Sequence, residues 1–196
     1  LVGSEMCIRD RFDILNGIQS VFQSDLMDQI MPAVTALGNG GIFWIAAGLV
    51  FTLYKKTRTF GICILTALVF EVLSCNVILK PLVARPRPFT SDPARILLIP
   101  RPEDYSFPSG HTAVSFAAAS AAWFMKKRKT GVAFGAVACL IAFSRLYLYV
   151  HYPTDVLAGA VIGILCGAAA SKLTEMVAAA REARRDSGPE IPVGKL

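Results

Sequence analysis

Three cationic side chains of this 196-residue chain, Lys80, Arg87 and Arg145, lie at the ends of apolar stretches and together suit a bound anion. An arginine makes bidentate, charge-assisted hydrogen bonds to phosphate oxygens, and a lysine adds a compact point charge. Ser109 and Gly110 come directly before another apolar stretch, and the free N–H groups and the dipole at the start of a helix also favour an anion. These five residues predict a cradle for a tetrahedral dianion.

The two histidines of the chain, His111 and His151, lie at the same ends of the apolar stretches as these cations. Beside a phosphate, one imidazole can attack phosphorus while the other protonates the leaving oxygen. Asp155 follows His151 by four residues, so its carboxylate can accept the second imidazole N–H, fix the tautomer and raise the nucleophilicity of the ring. The pattern predicts phosphoryl-transfer chemistry.

Each of these features has a plainer structural explanation when it is taken alone. A Ser-Gly-His before a helix can be a cap, an arginine at a helix end can anchor on a lipid phosphate, and a lysine near the interface can snorkel. Two histidines with one useful carboxylate are too few for a convincing metal cluster, so we expect no metal and no other cofactor. The coincidence of all these features on one face of a small protein favours the phosphate site.

Three further charged residues are left outside this site. Glu71 lies about two and a half helical turns before Lys80, which is expected to be too far along the axis for contact. Arg85 lies between Lys80 and Arg87, Arg101 lies before Ser109, and both could meet a second phosphate. Solvated loop charges are the preferred interpretation of both arginines.

The composition restricts the class of protein that carries these residues. Hydrophobic residues make up 54% of the chain and charged residues 17%, with a net charge of +6, whereas soluble domains are nearer 45–50% apolar and 25% charged. Five cysteines without a CxxC pair argue against both a disulfide framework and a zinc site. A disordered chain, a disulfide-stapled secreted module and a water-soluble globule are therefore excluded.

The apolar residues gather into blocks that approach the roughly 20 residues needed to cross a bilayer. We therefore predict an all-α polytopic membrane bundle with about five spanning helices. The predicted spans are residues 37–54, 60–79, 111–125, 131–150 and 155–173. Small residues in the last three, such as Gly159, Gly163 and Gly167, would let the helix backbones approach closely.

The two ends of the chain are interpreted separately from this bundle. Residues 1–11 lack periodicity and are taken as an artefact or a truncated leader, outside a membrane domain of residues 12–175. Residues 12–37 place apolar side chains three or four apart, which predicts an amphipathic helix lying at the membrane interface. The alternative is an ordinary helix packed on protein. Residues 176–196 are predicted to form a disordered cytoplasmic tail.

Basic residues give the expected orientation, because cytoplasmic loops are enriched in Lys and Arg. They cluster at three places that fall on one side if the spans alternate. These are Lys55, Lys56 and Arg58; residues 126–129; and Arg181, Arg184 and Arg185. The phosphate cradle then faces the opposite, extracytoplasmic side, so its cations need an explanation other than topology.

Three motifs in this order resemble the signature of the type 2 phosphatidic acid phosphatase superfamily, which also includes the soluble vanadium haloperoxidases. KPLVARPRP matches K-x6-R-P at Lys80–Pro88, and PSGH matches at Pro108–His111. SRLYLYVHYPTD matches S-R-x5-H-x3-D at Ser144–Asp155. The resemblance covers roughly residues 38–173 with every signature position filled. One motif alone is weak evidence, but the three together are specific.

The resemblance implies a role for each matched residue. His151 would be the nucleophile that forms a phosphohistidine, oriented by Asp155, and His111 would be the general acid and then the base that activates water. The remaining matched residues would hold the phosphoryl oxygens without a metal. They are Lys80, Arg87, Ser109, Gly110 and Arg145.

The resemblance also implies a lipid substrate that stays in the bilayer while its phosphate enters the site. In size and in the segment before His111, the chain most resembles small bacterial members that hydrolyse undecaprenyl diphosphate. These members lie in the cell membrane with the site facing outward. The alternatives are a phosphatidylglycerophosphate or phosphatidic acid phosphatase and, as a non-enzyme, a lipid-binding or transport protein. Vanadate is expected to inhibit, and no nucleic-acid partner is expected.

Overall fold

The computed structural model describes residues 2–92 and 94–186, and every regular element in these two ranges is helical. The prediction of an all-α membrane bundle is confirmed. The helices are α1 (Val2–Phe22), α2 (Asp25–Ala36), α3 (Ile42–Leu53), α4 (Arg58–Glu71), α5 (Lys80–Val83), α6 (Gly110–Phe124), α7 (Arg128–Tyr147) and α8 (Pro153–Asp186). A π-helical segment, Val72–Leu79, joins α4 to α5, and short 3-10 turns occupy Asn39–Gly41 and Pro88–Ser91.

The number of spans differs from the five predicted. In the described residues, three helices are long and apolar enough to cross a membrane: Arg58–Ser91, Arg128–Tyr147 and Pro153–Arg184. A fourth is possible if α2 and α3, which are bent by 44° at their junction, form one broken span. Helix α6 does not qualify because its 15 residues extend about 22 Å, less than the roughly 30 Å of a bilayer core.

The predicted N-terminal helix is in fact two helices. Ser24 separates α1 from α2, and its side-chain oxygen accepts a hydrogen bond from the backbone N–H of Met27 at 3.3 Å, which starts a new helix. Helix α1 begins at Val2, within the segment that was set apart as an artefact or leader. The missing periodicity of that segment argued against an amphipathic face, but it did not argue against a helix.

One face of these two helices packs on protein, as the alternative interpretation proposed. Leu15 of α1 is fully buried in a cluster with Tyr149 and Tyr152. Met31 of α2 is buried with Tyr147 and Leu148. The N-terminal helices therefore cover the end of the bundle that carries the predicted site.

The turn between α2 and α3 depends on glycine. Gly40 and Gly41 have φ values of 56° and 67°, a left-handed conformation that residues with a β-carbon adopt at a cost. The turn shortens the predicted span 37–54 to the 12 residues of α3. It also brings Asn39 toward the start of α6.

Helix α6 is the centre of the bundle, and α8 packs on it in parallel through three glycines. A β-carbon added at Gly159 would lie 2.6 Å from the carbonyl oxygen of Ser109, and one at Gly163 would lie 2.4 Å from that of Ala113. One at Gly167 would lie 2.0 Å from the Oγ of Ser120. The two backbones are therefore in direct contact, as expected for small residues at a helix interface in lipid.

We expect Gly163→Val to destabilise the protein by about 1–3 kcal/mol and to lower its activity, because the added side chain forces α6 and α8 apart. Thermal unfolding in detergent measures the first effect. Gly135→Val is the matched control, since a β-carbon at Gly135 of α7 meets nothing within 4 Å. Equal unfolding temperatures for the two variants would contradict the proposed role of the interface.

The disordered tail predicted from residue 176 is wrong for residues 176–186, because α8 continues to Asp186. This segment is rich in alanine and arginine, which are strong helix formers. At 34 residues the helix is about 51 Å long and exceeds the thickness of a bilayer core. Residues 187–196 of the predicted tail lie outside the described residues.

Candidate active site

A cavity of about 650 Å³ opens at one end of the bundle. It lies between α2, the π-helical segment, the loop before α6, the adjoining ends of α6 and α7, and the connection from α7 to α8. Six of the eight predicted site residues line it. They are Lys80, Arg87, Gly110, His111, Arg145 and His151. Because α6 and α8 are parallel while α7 runs back between them, the ends that carry the three motifs meet at this one place.

His151 is 1% exposed and lies between a guanidinium on one side and a carboxylate on the other. The Nη1 of Arg87 is 3.2 Å from His151 Nε2, and His151 Nδ1 is 3.7 Å from Asp155 Oδ2. A guanidinium can only donate, so Nε2 is the unprotonated nitrogen and the proton is on Nδ1. This is the tautomer with a nucleophilic nitrogen directed into the cavity.

The environment keeps His151 uncharged. Burial lowers the pKa of His151 to about 3, the nearby Asp155 carboxylate opposes this change, and the positive charges of Arg145 and Arg87 contribute to it. The imidazole is therefore neutral at any ordinary working pH.

Asp155 lies behind His151, outside the cavity, and is held by several donors. It accepts hydrogen bonds from the Ser106 hydroxyl and, at 2.9 Å, from the backbone N–H of Tyr152. Arg85 Nη1 lies 2.6 Å from Asp155 Oδ1, and the same guanidinium is 4.7 Å from the ring centre of Tyr152. The preferred interpretation of Arg85 as a solvated loop charge is thus wrong, because Arg85 forms an ion pair with a fully buried carboxylate.

Arg87 and Lys80 share a carboxylate that the sequence did not point to. Arg87 Nη2 donates to Asp104 Oδ1 at 2.6 Å, Lys80 forms an ion pair with Asp104 Oδ2, and Arg87 Nε donates to the Asp104 carbonyl oxygen at 2.8 Å. Burial raises the pKa of the Asp104 carboxyl, but the hydrogen bond from Lys80 and the charge of Arg87 outweigh this and lower it to about 2. Asp104 is therefore an anion next to both cations.

Arg145 is only 2% exposed, and α2 holds it in place. Its Nη1 donates to the hydroxyl of Thr35 at 2.7 Å, whereas its buried Nε has no partner within the described part of the chain. A buried N–H without an acceptor is costly. An oxygen of a bound anion would remove that cost.

His111 contacts the turn between α2 and α3. Its Nε2 is 2.8 Å from Asn39 Oδ1, and a β-carbon at Gly38 would lie 2.7 Å from the imidazole ring. The amide oxygen accepts, so Nε2 carries a proton in this arrangement. The glycine-rich turn thus leaves room for the imidazole and supplies its hydrogen-bond partner.

Ser109 and Gly110 differ in what they offer a ligand. Gly110 lines the cavity, where an added β-carbon would be 3.6 Å from Lys80 Nζ. Ser109 is fully buried, and its hydroxyl is 3.0 Å from that of Thr112. Its backbone N–H donates to the Asp155 carbonyl oxygen at 3.0 Å, so Ser109 joins the start of α6 to the start of α8.

Glu71 lines the same cavity as Lys80, although within the described residues no ion pair joins the two side chains. Nine residues make two and a half turns of an α-helix, which would place the two side chains on opposite faces. The intervening π-helical segment has wider turns, so the same nine residues turn through a smaller angle. Glu71 Oε1 is buried with no partner among the described residues.

Most of the site residues that could not be predicted from the sequence reach the site from connecting segments. Asp104 and Ser106 come from the loop before α6, Asn39 from a turn and Thr35 from the last turn of α2. A connecting segment has no period, so no pattern marked them. In residues 2–92 and 94–186, no group of three or more His, Cys, Asp or Glu side chains is arranged to hold a metal ion.

Comparison with known proteins gives the class of this molecule. Residues 59–178 match the PAP2 superfamily, so the chain belongs to that superfamily. The undecaprenyl-diphosphatase of Sulfolobus acidocaldarius is 32% identical over 120 residues, which are 61% of this chain and 58% of that protein. The lipid A 4'-phosphatase of Porphyromonas gingivalis is 32% identical over 169 residues, 81% of this chain and 69% of that protein.

The fold has a counterpart of known structure. The transmembrane PAP2-type phosphatidylglycerolphosphate phosphatase of Bacillus subtilis superposes with a TM-score of 0.71 at 25% identity, over 87% of this chain and 88% of that chain. Together with the spans, this similarity makes the protein a multi-pass membrane protein of the PAP2 superfamily. The three relatives are named for three different lipid substrates.

Proposed function

We propose that the protein is a lipid phosphatase that acts through a phosphohistidine. The observation that carries the proposal is the convergence of three cations and two histidines on one cavity. Simple anion binding needs the cations but neither a nucleophile nor an acid, which argues against a lipid-binding or transport protein. Membership of a superfamily whose named relatives are phosphatases supports the same conclusion.

In the proposed reaction, His151 Nε2 attacks the terminal phosphorus while the bond from that phosphorus to the departing oxygen breaks. This oxygen leaves with the lipid alcohol of a phosphomonoester or with the lipid phosphate of a diphosphate. His111, protonated, gives its proton to that departing oxygen. Water then attacks the phosphohistidine, His111 takes a proton from the water, and the N–P bond breaks to release inorganic phosphate. Asp155 keeps the Nδ1 proton of His151 in place throughout and stabilises the imidazolium that forms.

The three cations would hold the phosphoryl oxygens and stabilise the charge that develops on them. The unpartnered N–H of Arg145 and the backbone of Gly110 are suited to this task. We propose that this makes the reaction independent of metal ions. Turnover should therefore survive treatment with EDTA, and a loss that added Mg²⁺ restores would contradict metal independence.

We propose undecaprenyl diphosphate as the preferred substrate, cleaved to undecaprenyl phosphate. The name of the Sulfolobus relative supports this choice, and the Bacillus structure supports a phosphatidylglycerophosphate as the alternative. Because the three basic clusters lie at the opposite ends of the helices from the cavity, we also propose that the site faces the extracytoplasmic side of a bacterial cell membrane.

A substrate panel on the purified protein in detergent tests this proposal. Phosphate release from undecaprenyl diphosphate should exceed release from phosphatidylglycerophosphate and phosphatidic acid, and vanadate should inhibit all three as a mimic of the transferred phosphoryl group. Faster turnover of a diacyl lipid would replace our first choice with the alternative. Release from none of them, with vanadate still bound, would favour a binding protein.

A further inference from the structure

The Asp104 carboxylate occupies the two cations that a substrate phosphate needs. One oxygen accepts from Arg87 at 2.6 Å and the other forms the ion pair with Lys80. Both cations line the cavity together with His151. A carboxylate bridging a guanidinium and an ammonium resembles, in charge and in its two oxygens, one edge of a phosphoryl group.

Of the side chains of Lys80, Arg87 and Asp104, only the Asp104 carboxylate is exposed enough to move out of the cavity. The side chain of Asp104 is 49% exposed, whereas those of Lys80 and Arg87 are 13% and 4% exposed. Asp104 also belongs to a connecting loop, while the neighbouring cations are held by α5 and by the 3-10 turn that follows it. An arriving phosphate can therefore displace Asp104 toward solvent without moving the cations.

The surroundings of the site make such a contact useful. A protein embedded in a bilayer is exposed to phosphodiester headgroups at high local concentration, and each carries one negative charge. A tethered carboxylate competes at a high effective concentration of its own. An anion with one charge gains little over the carboxylate it replaces, whereas a phosphomonoester or diphosphate brings two or more charges to the same cations.

Building on the proposed function, we propose that Asp104 is a specificity-determining residue: an internal competitor that terminal phosphate groups displace and phosphodiester headgroups do not. Its cost is a weaker apparent affinity for every anion, because only the fraction of protein with Asp104 displaced can bind. Removal of the charge should strengthen phosphate binding and should admit phosphodiesters.

Asp104→Asn is the decisive variant. Glu103→Gln is its matched control, because Glu103 is exposed and its substitution removes the same charge one residue away. Inorganic phosphate should bind Asp104→Asn about tenfold more tightly than wild type, measured by calorimetry in detergent. Phosphatidylglycerol in mixed micelles should inhibit Asp104→Asn relative to phosphatidylcholine and should leave wild type and Glu103→Gln unaffected. Asp104→Glu, which keeps a carboxylate, should resist phosphatidylglycerol as wild type does.

Weaker or unchanged phosphate binding by Asp104→Asn would overturn the proposal and would make Asp104 a positioning residue for Lys80 and Arg87. The melting temperature of each variant shows whether it is folded. If Asp104→Asn is misfolded, Asp104→Glu tests the proposal by itself, and inhibition of Asp104→Glu by phosphatidylglycerol would overturn it. The binding measurement needs no turnover. Wild-type protein that binds phosphate but releases none from any lipid would therefore refute the phosphatase function and still leave the role of Asp104 open to this test.

Discussion

Replacing His151 with alanine should abolish phosphate release, with a loss in kcat of about 10⁴-fold or more, because no other group can form the covalent intermediate. The neutral Nε2 in the cavity is the only imidazole nitrogen in the described residues that faces Arg87. Phosphate release from lipid in detergent measures the loss. Added imidazole should restore part of the activity, because the vacated space lies beside the phosphate cradle.

A binding measurement separates this loss from a loss of fold. His151→Ala should still bind vanadate or phosphate, since the three cations remain in place. Wild-type protein given a labelled terminal phosphate should retain label that is stable in alkali and lost in acid, as expected for a phosphohistidine, and the variant should retain none. Undiminished turnover in His151→Ala would sink the proposed mechanism.

Replacing His111 with alanine should affect two kinds of substrate unequally. Hydrolysis of a phosphomonoester expels an alkoxide, which needs a proton, so loss of the general acid should cost about 10²–10⁴-fold. Hydrolysis of a lipid diphosphate expels a lipid phosphate, a far weaker base that leaves with little assistance. The ratio of the two rates should therefore shift toward the diphosphate in the variant, measured by single-turnover release from both lipids.

Asn39→Ala is the companion variant, because Asn39 contacts His111 Nε2 at 2.8 Å without a proposed part in proton transfer. It should lower both rates by a similar, smaller factor, as loss of positioning does. If His111→Ala slowed both substrates equally, His111 would not act as the acid on the leaving group. Its contribution would then lie in the second step, the activation of water.

The parts of the site that were predictable are those that a regular helix places. Lys80, Arg145, His111 and His151 lie at or next to helix ends, and spacing along a helix gives the direction of each side chain. Asp155 was predicted from its position four residues after His151, although His151 itself lies before the start of α8 at Pro153. The membrane bundle followed from apolar block length, which depends on the bilayer more than on tertiary contacts.

The parts that were missed depend on contacts that no local pattern encodes. Asp104 and Ser106 reach the cations and Asp155 from a loop, where position depends on tertiary packing. Glu71 was not expected at the site because its spacing from Lys80 was counted in α-helical turns, whereas the π-helical segment between them changes the angle and both side chains line the cavity. The break at Ser24 was a capping signal within an otherwise continuous apolar pattern.

The glycine interface between α6 and α8 has a consequence for how this protein can diverge. Gly159 and Gly163 set the separation of the two backbones, and with it the placement of His111 relative to Asp155, without using any side chain. Residues on the outer surfaces of the helices are therefore free to change without shifting the reacting groups. Headgroup chemistry can be inherited intact while the part of the protein that meets the lipid tail is altered. Relatives named for different lipids at about 30% identity are the expected outcome of such independence.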